Sequence, residues 1–397
     1  MSIQKINQAA LKMFNEVGFP HPNHEDWKYT NLKNFHANKF SKSNNSIIPN
    51  EYKNNFSNYN QITTINGKPI IDLNCNQIDI DYISNVISKT PDVINSFDIS
   101  NKDYNNPFLI LNTAYFSDGI YIKIPKNISL EEPLYLLSIC NDNDFKSSYP
   151  RLYIDAQQNS KIKIIHHHIG FESQKYHRNN TTFINGKENS NVFFINIYEE
   201  SSKSFSMNNL VINQSANSQV DVLNFFMKPG FFRSHIRGNL NGKGSSVSID
   251  GLFLGNNHEF IDNNIIINHN KEQSNSKVMY KGILDGNAKA VFNGLVNVPS
   301  QSKNINSDQK NHNIILSKTA KVNSNPKLKI SCDDVKCSHG STIGNLDKDA
   351  LFYLRSRGIK LEKSKKILLN SFIDEIIEKI PFTDIKNYLE NRISKLI

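Results

Sequence analysis

The sequence predicts a mostly β protein. A β-solenoid core, residues 108–346, lies between an N-terminal helical and irregular region, 1–107, and a C-terminal helical region, 347–397. Three observations predict this. Helical spacing of apolar residues is confined to the two ends of the chain. Between them the pattern changes to short apolar alternations broken by Asn, Gly and Ser. Those alternations recur at a nearly constant distance, the mark of stacked units that share one core.

At the N-terminus, Ile6, Ala9, Ala10, Met13, Phe14 and Val17 fall on one face of a helix over 3–17, which Gly18 and Pro20 stop. "PHPNHEDWKYTNLKNF", residues 20–35, holds the single tryptophan. Residues 36–107 have no strong period and read as short helices and loops. From 108 onward "KIKIIHHHI", "NVFFINIY", "QVDVLNFF", "SVSIDGLFL", "AVFNGLVNV" and "KLKI" have strand character. A small residue precedes each repeat, at Ser160, Ser190, Ser218, Ser245, Ala288 and Ala320, spaced 27–32 residues apart with one longer gap. A long antiparallel meander would alternate similarly, but the repeat favours a solenoid. After Gly344 the helical period returns. Asp347 suits an N-cap and Gly358 a stop. Residues 361–380 carry Ile367, Leu368, Phe372, Ile373, Ile376, Ile377 and Ile380 on one stripe that Pro381 ends, and 383–396 repeat the pattern with Ile385, Leu389, Ile393 and Leu396. Faces this apolar need cover, from this chain or from a partner.

The formal net charge of +9 admits an anionic partner. The lysines are dispersed, however, and no basic run forms a nucleic-acid-binding tail. Cys75, Cys140, Cys332 and Cys337 are too few and too scattered for a disulfide framework. No secretory signal pattern opens the sequence, and no apolar stretch approaches the roughly eighteen residues of a membrane span. The expectation is a cytoplasmic protein with reduced thiols. The abundance of Asn is compatible with nucleotide bias and receives little functional weight.

Four constellations are candidates for chemistry. His166, His167 and His168 lie on a predicted strand, so the first and third face one way and the second the other; adjacent histidines on a polar sheet face are ordinarily solvated. Cys332 and Cys337 lack C-x2-C spacing and a second pair, which sets aside a closed zinc site. Asp333 and Asp334 point to opposite faces of an extended segment. Cys337 and His339, two residues apart, share one face if extended, and sulfur with imidazole suits iron, copper(I) or zinc. Two ligands do not close a site, and no oxyanion device supports a Cys–His dyad. "GSTIGNL", residues 340–346, lacks the lysine of a phosphate-binding loop, so the chain is not expected to hydrolyse ATP.

"DDVKCSHGSTIGNLDKDALFYLRSRGI", residues 333–359, closely resembles the C-terminal signature of the SufB/SufD family of iron–sulfur cluster assembly proteins. "KAVFNGLVNV", 289–298, and "NHNIILS", 311–317, are similar to its preceding core segments. "HEDWKYTNL", 24–32, and the glycine after His339, where SufB carries acidic residues beside the histidine, resemble the SufD branch. The resemblance implies a right-handed parallel β-helix between helical regions. It implies a non-catalytic scaffold without a permanent cofactor, paired with SufB through its β-helix and bound to the SufC ATPase, neither a nucleic-acid binder nor a membrane protein. SufC docking falls on the C-terminal region, with Leu351, Phe352, Leu354, Arg355, Ile367, Phe372 and Ile376 as candidates. Two copies of the chain can pair where SufB is absent. His339 matches the family histidine at the SufB interface, where iron or a nascent cluster is held transiently; Cys337 stands beside it with a less settled role, and Cys332 has no family role. Two readings compete with this one. A free-standing metal-binding enzyme would use Cys337, His339 and the His166–His168 strand, and a basic nucleic-acid-binding solenoid would use the scattered lysines.

Overall fold

Each turn of the core contributes one strand to each of two parallel sheets, and the computed structural model contains about seven such turns. It describes residues 2–21, 23–43, 56, 58–73, 75–90, 93, 106–141, 145–227 and 229–396. One sheet runs from Arg151–Ala156 through Tyr176–Gly186, Phe205–Gln214, Phe231–Leu240, Phe260–His269 and Lys289–Val298 to Lys321–Ile330. The other runs from Lys161–Gly170 through Asn191–Glu199, Gln219–Met227, Ser246–Gly255, Asn275–Leu284 and Ile305–Ile315 to Val335–Gly344. Neighbours within a sheet are alternate strands of the chain and run parallel. A meander would pair consecutive strands antiparallel, so it is excluded.

The corners explain the repeat. Asn159, Asn189 and Asn217 adopt left-handed φ values of 58°, 56° and 53°, a conformation that Asn tolerates and most residues resist. The serine after each is buried, and its hydroxyl donates to the carbonyl three residues back, at 2.6 Å for Ser160, 2.7 Å for Ser190 and 2.8 Å for Ser218. Gly244 and Ser245 continue the series, and so do Gln273 and Ser274, 29 residues further on. The longer gap in the sequence repeat therefore joins two different corners, because Ala288 and Ala320 precede strands of the opposite sheet.

Asn also has a structural role that the composition concealed. Asn185, Asn213, Asn239, Asn268 and Asn297 stand in register on successive strands. Each amide donates to the Asn before it, at 3.1, 2.9, 2.9 and 3.4 Å. Parallel in-register stacking brings identical side chains together, and an amide satisfies its own copy as both donor and acceptor.

The N-terminal layer covers the first sheet. Helices α1 (Ile3–Val17), α2 (Lys33–Ala37), α3 (Ile83–Lys89) and α4 (Pro107–Tyr115) belong to it. Ala10, Leu109, Ile110 and Ala114 pack there against Tyr153, Phe183 and Val211. Two sequence expectations change here. The run "PFLILNTAY", placed at the start of the β core, is the buried helix α4: Pro107 opens it, and Asn106 caps it by accepting from the Phe108 N–H at 3.1 Å. A short apolar run does not reveal its own period, and its cap decided the outcome. Conversely, 36–107 is not just helices and loops. Asn60–Ile65 pairs parallel with Leu134–Cys140, and Asp79–Tyr82 pairs antiparallel with Ile120–Ile124. The stretches 44–55 (from 36–107) and 94–105 lie outside the described residues.

The C-terminal layer, α5 (Lys348–Ser356), α6 (Leu361–Ile377) and α7 (Thr383–Ser394), covers the second sheet. Leu369, Ile373, Ile376 and Ile377 of α6 and Ile385, Leu389 and Ile393 of α7 join Leu223, Phe225, Leu252, Leu254 and Ile283 in one core. Ion pairs fasten it: Lys281 to Glu375 at 2.7 Å, Lys379 to Asp250 at 2.7 Å and Arg392 to Glu199 at 2.8 Å.

Replacing Asn217 by Val is expected to destabilise the chain by about 1–2 kcal/mol, the cost of left-handed backbone in a residue with a branched Cβ, whereas Asn217→Gly should be nearly neutral. Thermal unfolding of the two variants beside the parent checks this, and equal melting points for Val and Gly would contradict it.

Candidate functional site

Among the described residues, the strand Val335–Gly344 is the last rung of its sheet and has a neighbour on one side only, Ile305–Ile315. The register sets Cys337 against Ser307, His339 against Gln309 and Ser341 against Asn311. Those three partners are buried. Val335 and Cys337 continue the inward side and pack on the solenoid core, as Cys332 does at the preceding corner. His339 lies in the same alternation as Cys337 but is exposed, because no further coil covers it. Ser341 bonds Ser324 of the opposite last strand at 2.8 Å, and Ser324 donates to Asn311 at 2.8 Å. This chain of hydroxyls and an amide ties the two sheets together at their open end.

The outward side of the rung is polar. Ser338 donates to Asp308 at 2.8 Å, Lys310 pairs with Asp308 at 2.7 Å, and His312 Nδ1 bonds the Thr342 hydroxyl at 2.8 Å. Gly340 and Gly344 are in extended strand rather than in a turn, and a Cβ at either would meet nothing within 4 Å. They are not a phosphate loop, and nothing within the chain requires them to be glycine. Ile343, between them, is exposed.

Burial pushes the Cys337 thiol up from its ordinary value, opposed by a backbone hydrogen bond from Ser307. A raised thiol is a poor nucleophile at neutral pH, which tells against a Cys–His dyad. Among the described residues no group of three or more His, Cys, Asp or Glu side chains is placed to hold a metal ion. The rung thus offers two donors of a type suited to iron, and a complete site needs ligands from elsewhere.

The docking candidates separate into two sets. Phe352 of α5 is 75% exposed, Arg355 is exposed, and Leu351 and Leu354 are half-buried. Ile367 of α6 is exposed, Phe372 is half-buried beneath the Lys281 ammonium at 4.8 Å, and Ile376 is fully buried. The stripe over 361–380 that sequence reasoning left open to a partner is covered mainly by this chain's own sheet. Ile376 is therefore core rather than docking surface. Tyr353, exposed beside Phe352, was not singled out from sequence, since one helical turn does not distinguish a free aromatic from a packed one.

The three adjacent histidines also depart from expectation, for none is solvated. His166 and His168 point into the solenoid, their ring centroids 3.9 Å apart. His166 Nε2 bonds the Ser138 hydroxyl at 2.8 Å, and His168 stacks on Tyr198 at 4.5 Å. His167 points outward beneath α7, bonding the Tyr135 hydroxyl at 2.8 Å. Nearby, the fully buried Arg178 pairs with Glu200 at 2.9 Å. The guanidinium further disfavours protonation of all three rings and would equally repel a cation. The strand is core, and it lies far along the stack from the last rung.

Two family models match this chain: the SufBD core domain of SUF system FeS cluster assembly over residues 138–372, and the SufBD protein N-terminal region over residues 1–136. The chain is similar to an iron–sulfur cluster assembly SufBD family protein of Synechocystis, 27% identical over 98% of this chain and 89% of the relative. It is similar to the iron–sulfur cluster assembly protein SufD of Escherichia coli, 25% identical over 98% of this chain and 92% of the relative. SufD of Bacillus subtilis is 23% identical over 72% and 66%, respectively. No helix among the described residues is long and apolar enough to cross a membrane.

The buried histidines give the fold a pH limit. Burial holds His166 and His177 down to about 3, and His167 and His269 to about 4, below the ordinary 6.5. For His167, Glu199 partly offsets burial while Arg392 adds to it. Unfolded imidazoles accept protons that the folded ones refuse, so stability is full above the unfolded value and declines as pH falls from 6.5 toward 3–4. Melting temperatures should change little from pH 7.5 to about 6.5 and fall steadily from there to 4.5; a flat profile below 6.5 would contradict the assignment.

Proposed function

The chain belongs to the SufBD family of SUF-system FeS cluster assembly proteins, and on that premise we propose that it is a non-catalytic cytoplasmic scaffold of the SufD type that pairs with SufB and binds the SufC ATPase. The observation that carries this reading is the last rung. It presents a full strand edge with His339 and Cys337 beside it and glycines that nothing inside the chain requires. A strand glycine with open space around it suits the close approach of another backbone. An unpaired parallel edge of ten residues is a template for adding a strand, and a second solenoid ending in the same way would satisfy it. In the absence of SufB, two copies of this chain would use the same edges.

Iron or a nascent cluster is the cargo of such an interface. His339 supplies an exposed imidazole at its rim, and the partner supplies thiolate, giving a mixed nitrogen and sulfur donor set that iron accepts. Cys337 shapes the inner wall; burial keeps it a thiol until pairing changes its surroundings. SufC docking draws on the exposed part of the C-terminal layer, Phe352 and Arg355 with Leu351, Leu354 and Ile367 around them, and with Phe372 at its edge. The buried stripe beneath transmits force to the solenoid rather than meeting the ATPase. Hydrolysis in SufC would then move the two solenoids against each other at their shared end.

Two measurements test this. In anaerobic co-purification with SufB and SufC, His339→Ala is expected to leave the complex intact while iron and sulfide fall at least severalfold. A mutant complex with parental iron and sulfide would refute the role of His339. Phe352→Asp is expected to release SufC while retaining SufB, and unchanged SufC recovery would remove α5 from the docking surface.

A further inference from the structure

At the opposite side of the molecule from the C-terminal layer, an aromatic ladder ends in a cleft of about 490 Å³, a volume typical of small-ligand sites. Phe205, Phe231, Phe260 and Lys289 occupy one register column on four successive strands. The rings of Phe205 and Phe231 stack at 5.7 Å and 29°, and those of Phe231 and Phe260 at 5.1 Å and 19°. At its other end the ladder is closed by Phe35 and Phe40, which pack against Phe205. Phe260 is the last ring. The next position in the column is a lysine, so one face of a half-buried Phe260 looks into the cleft without an aromatic neighbour.

The rim is basic. Lys33 from the N-terminal layer, Lys203 from the corner before the Phe205 strand and Lys289 three coils further on line the cleft, all exposed and, among the described residues, none in an ion pair. Glu259 is the acid in the lining. It is buried, and its carboxylate accepts from the Asn256 N–H at 2.7 Å. Tyr29 and His258 add donors at the mouth.

We propose that this cleft binds a planar ring carrying a phosphate, a ligand of the nucleoside monophosphate class. The ring would extend the stack on Phe260, and the phosphate would meet the three ammonium groups. Stacking on an aromatic side chain is favourable for any base, and lysines recognise a phosphate by charge. The site includes no residue of the last rung, and it stands whether or not the chain pairs with SufB.

The full-length protein carries its own reporter. Trp27, its single tryptophan, packs in one cluster with Phe231 and Phe205. Titration with AMP should give a saturable change in tryptophan fluorescence, confirmed by calorimetry. Adenosine and inorganic phosphate should each bind at least about tenfold more weakly than AMP, since each keeps one half of the recognition. Phe260→Leu and Lys289→Gln should weaken AMP by roughly tenfold each at an unchanged melting temperature. Should Phe260→Leu disturb the fold, the exposed Lys289→Gln and Lys203→Gln variants decide the matter. No saturable binding at millimolar AMP, equal affinity for phosphate alone, or indifference to the lysine variants would overturn the proposal. Tighter binding of a single-stranded oligonucleotide than of AMP would overturn it in favour of a polymer surface.

Discussion

Each coil of this solenoid takes its position from the hydrogen-bond register of the coil before it. Parallel pairing without slippage puts like positions in columns: Asn on Asn along the outer wall, Phe on Phe at a corner, serine after the left-handed Asn159, Asn189 and Asn217. A slip of one residue would turn every inward side chain outward, so the columns enforce the register that creates them. The same rule makes the ends a problem, because a ladder of parallel strands never closes on itself. At the N-terminal end the antiparallel strands Lys68–Ile70 and Asp79–Tyr82 finish the two sheets. At the C-terminal end both sheets stop on a strand with one neighbour.

Those two final strands are not equally open. Lys321–Ile330 carries Pro326, which has no N–H to donate, together with Lys321, Lys327 and Lys329. Proline and lysine are devices that blunt an edge against indiscriminate pairing. Lys327 is further engaged by Glu25 of the N-terminal layer. Val335–Gly344 has one lysine, no proline and two glycines. Of the two edges, the one bearing His339 is the less blunted against pairing.

Much of this was legible in the sequence, and the failures have identifiable causes. The strand repeat was visible because each coil needs a small residue after its corner, and serine or alanine satisfies that need at a fixed distance. The corner identity was not visible, since both corners use small residues; only the left-handed Asn, Gly or Gln directly before the serine separates the series. The helix α4 was hidden by an all-apolar run whose length fits either period. The burial of His166–His168 was hidden because histidine reads as polar, whereas here it fills an aromatic column that continues as Tyr198 and Phe226. That Cys337 and His339 share one face followed from their spacing only on the condition that the segment is extended, which it is. What spacing did not carry was that this strand is the last, which makes one residue a wall and the other a rim.

That difference bears on which residue of the pair can act. A ligand must be deprotonated and reachable at the moment of capture. Cys337 is turned toward the core, and its burial favours the thiol, so it meets neither condition in the isolated chain. Its pKa would fall only if a cation or donor arrived beside it, which makes its participation a consequence of pairing rather than a cause. His339 is exposed on the edge itself and needs no rearrangement to meet a metal offered from outside. Under the proposed pairing, such a site would have no affinity until two chains meet and would lose it when they separate. If the proposed role holds, an incomplete ligand set on each chain would suit a scaffold that has to surrender its cargo better than a closed one.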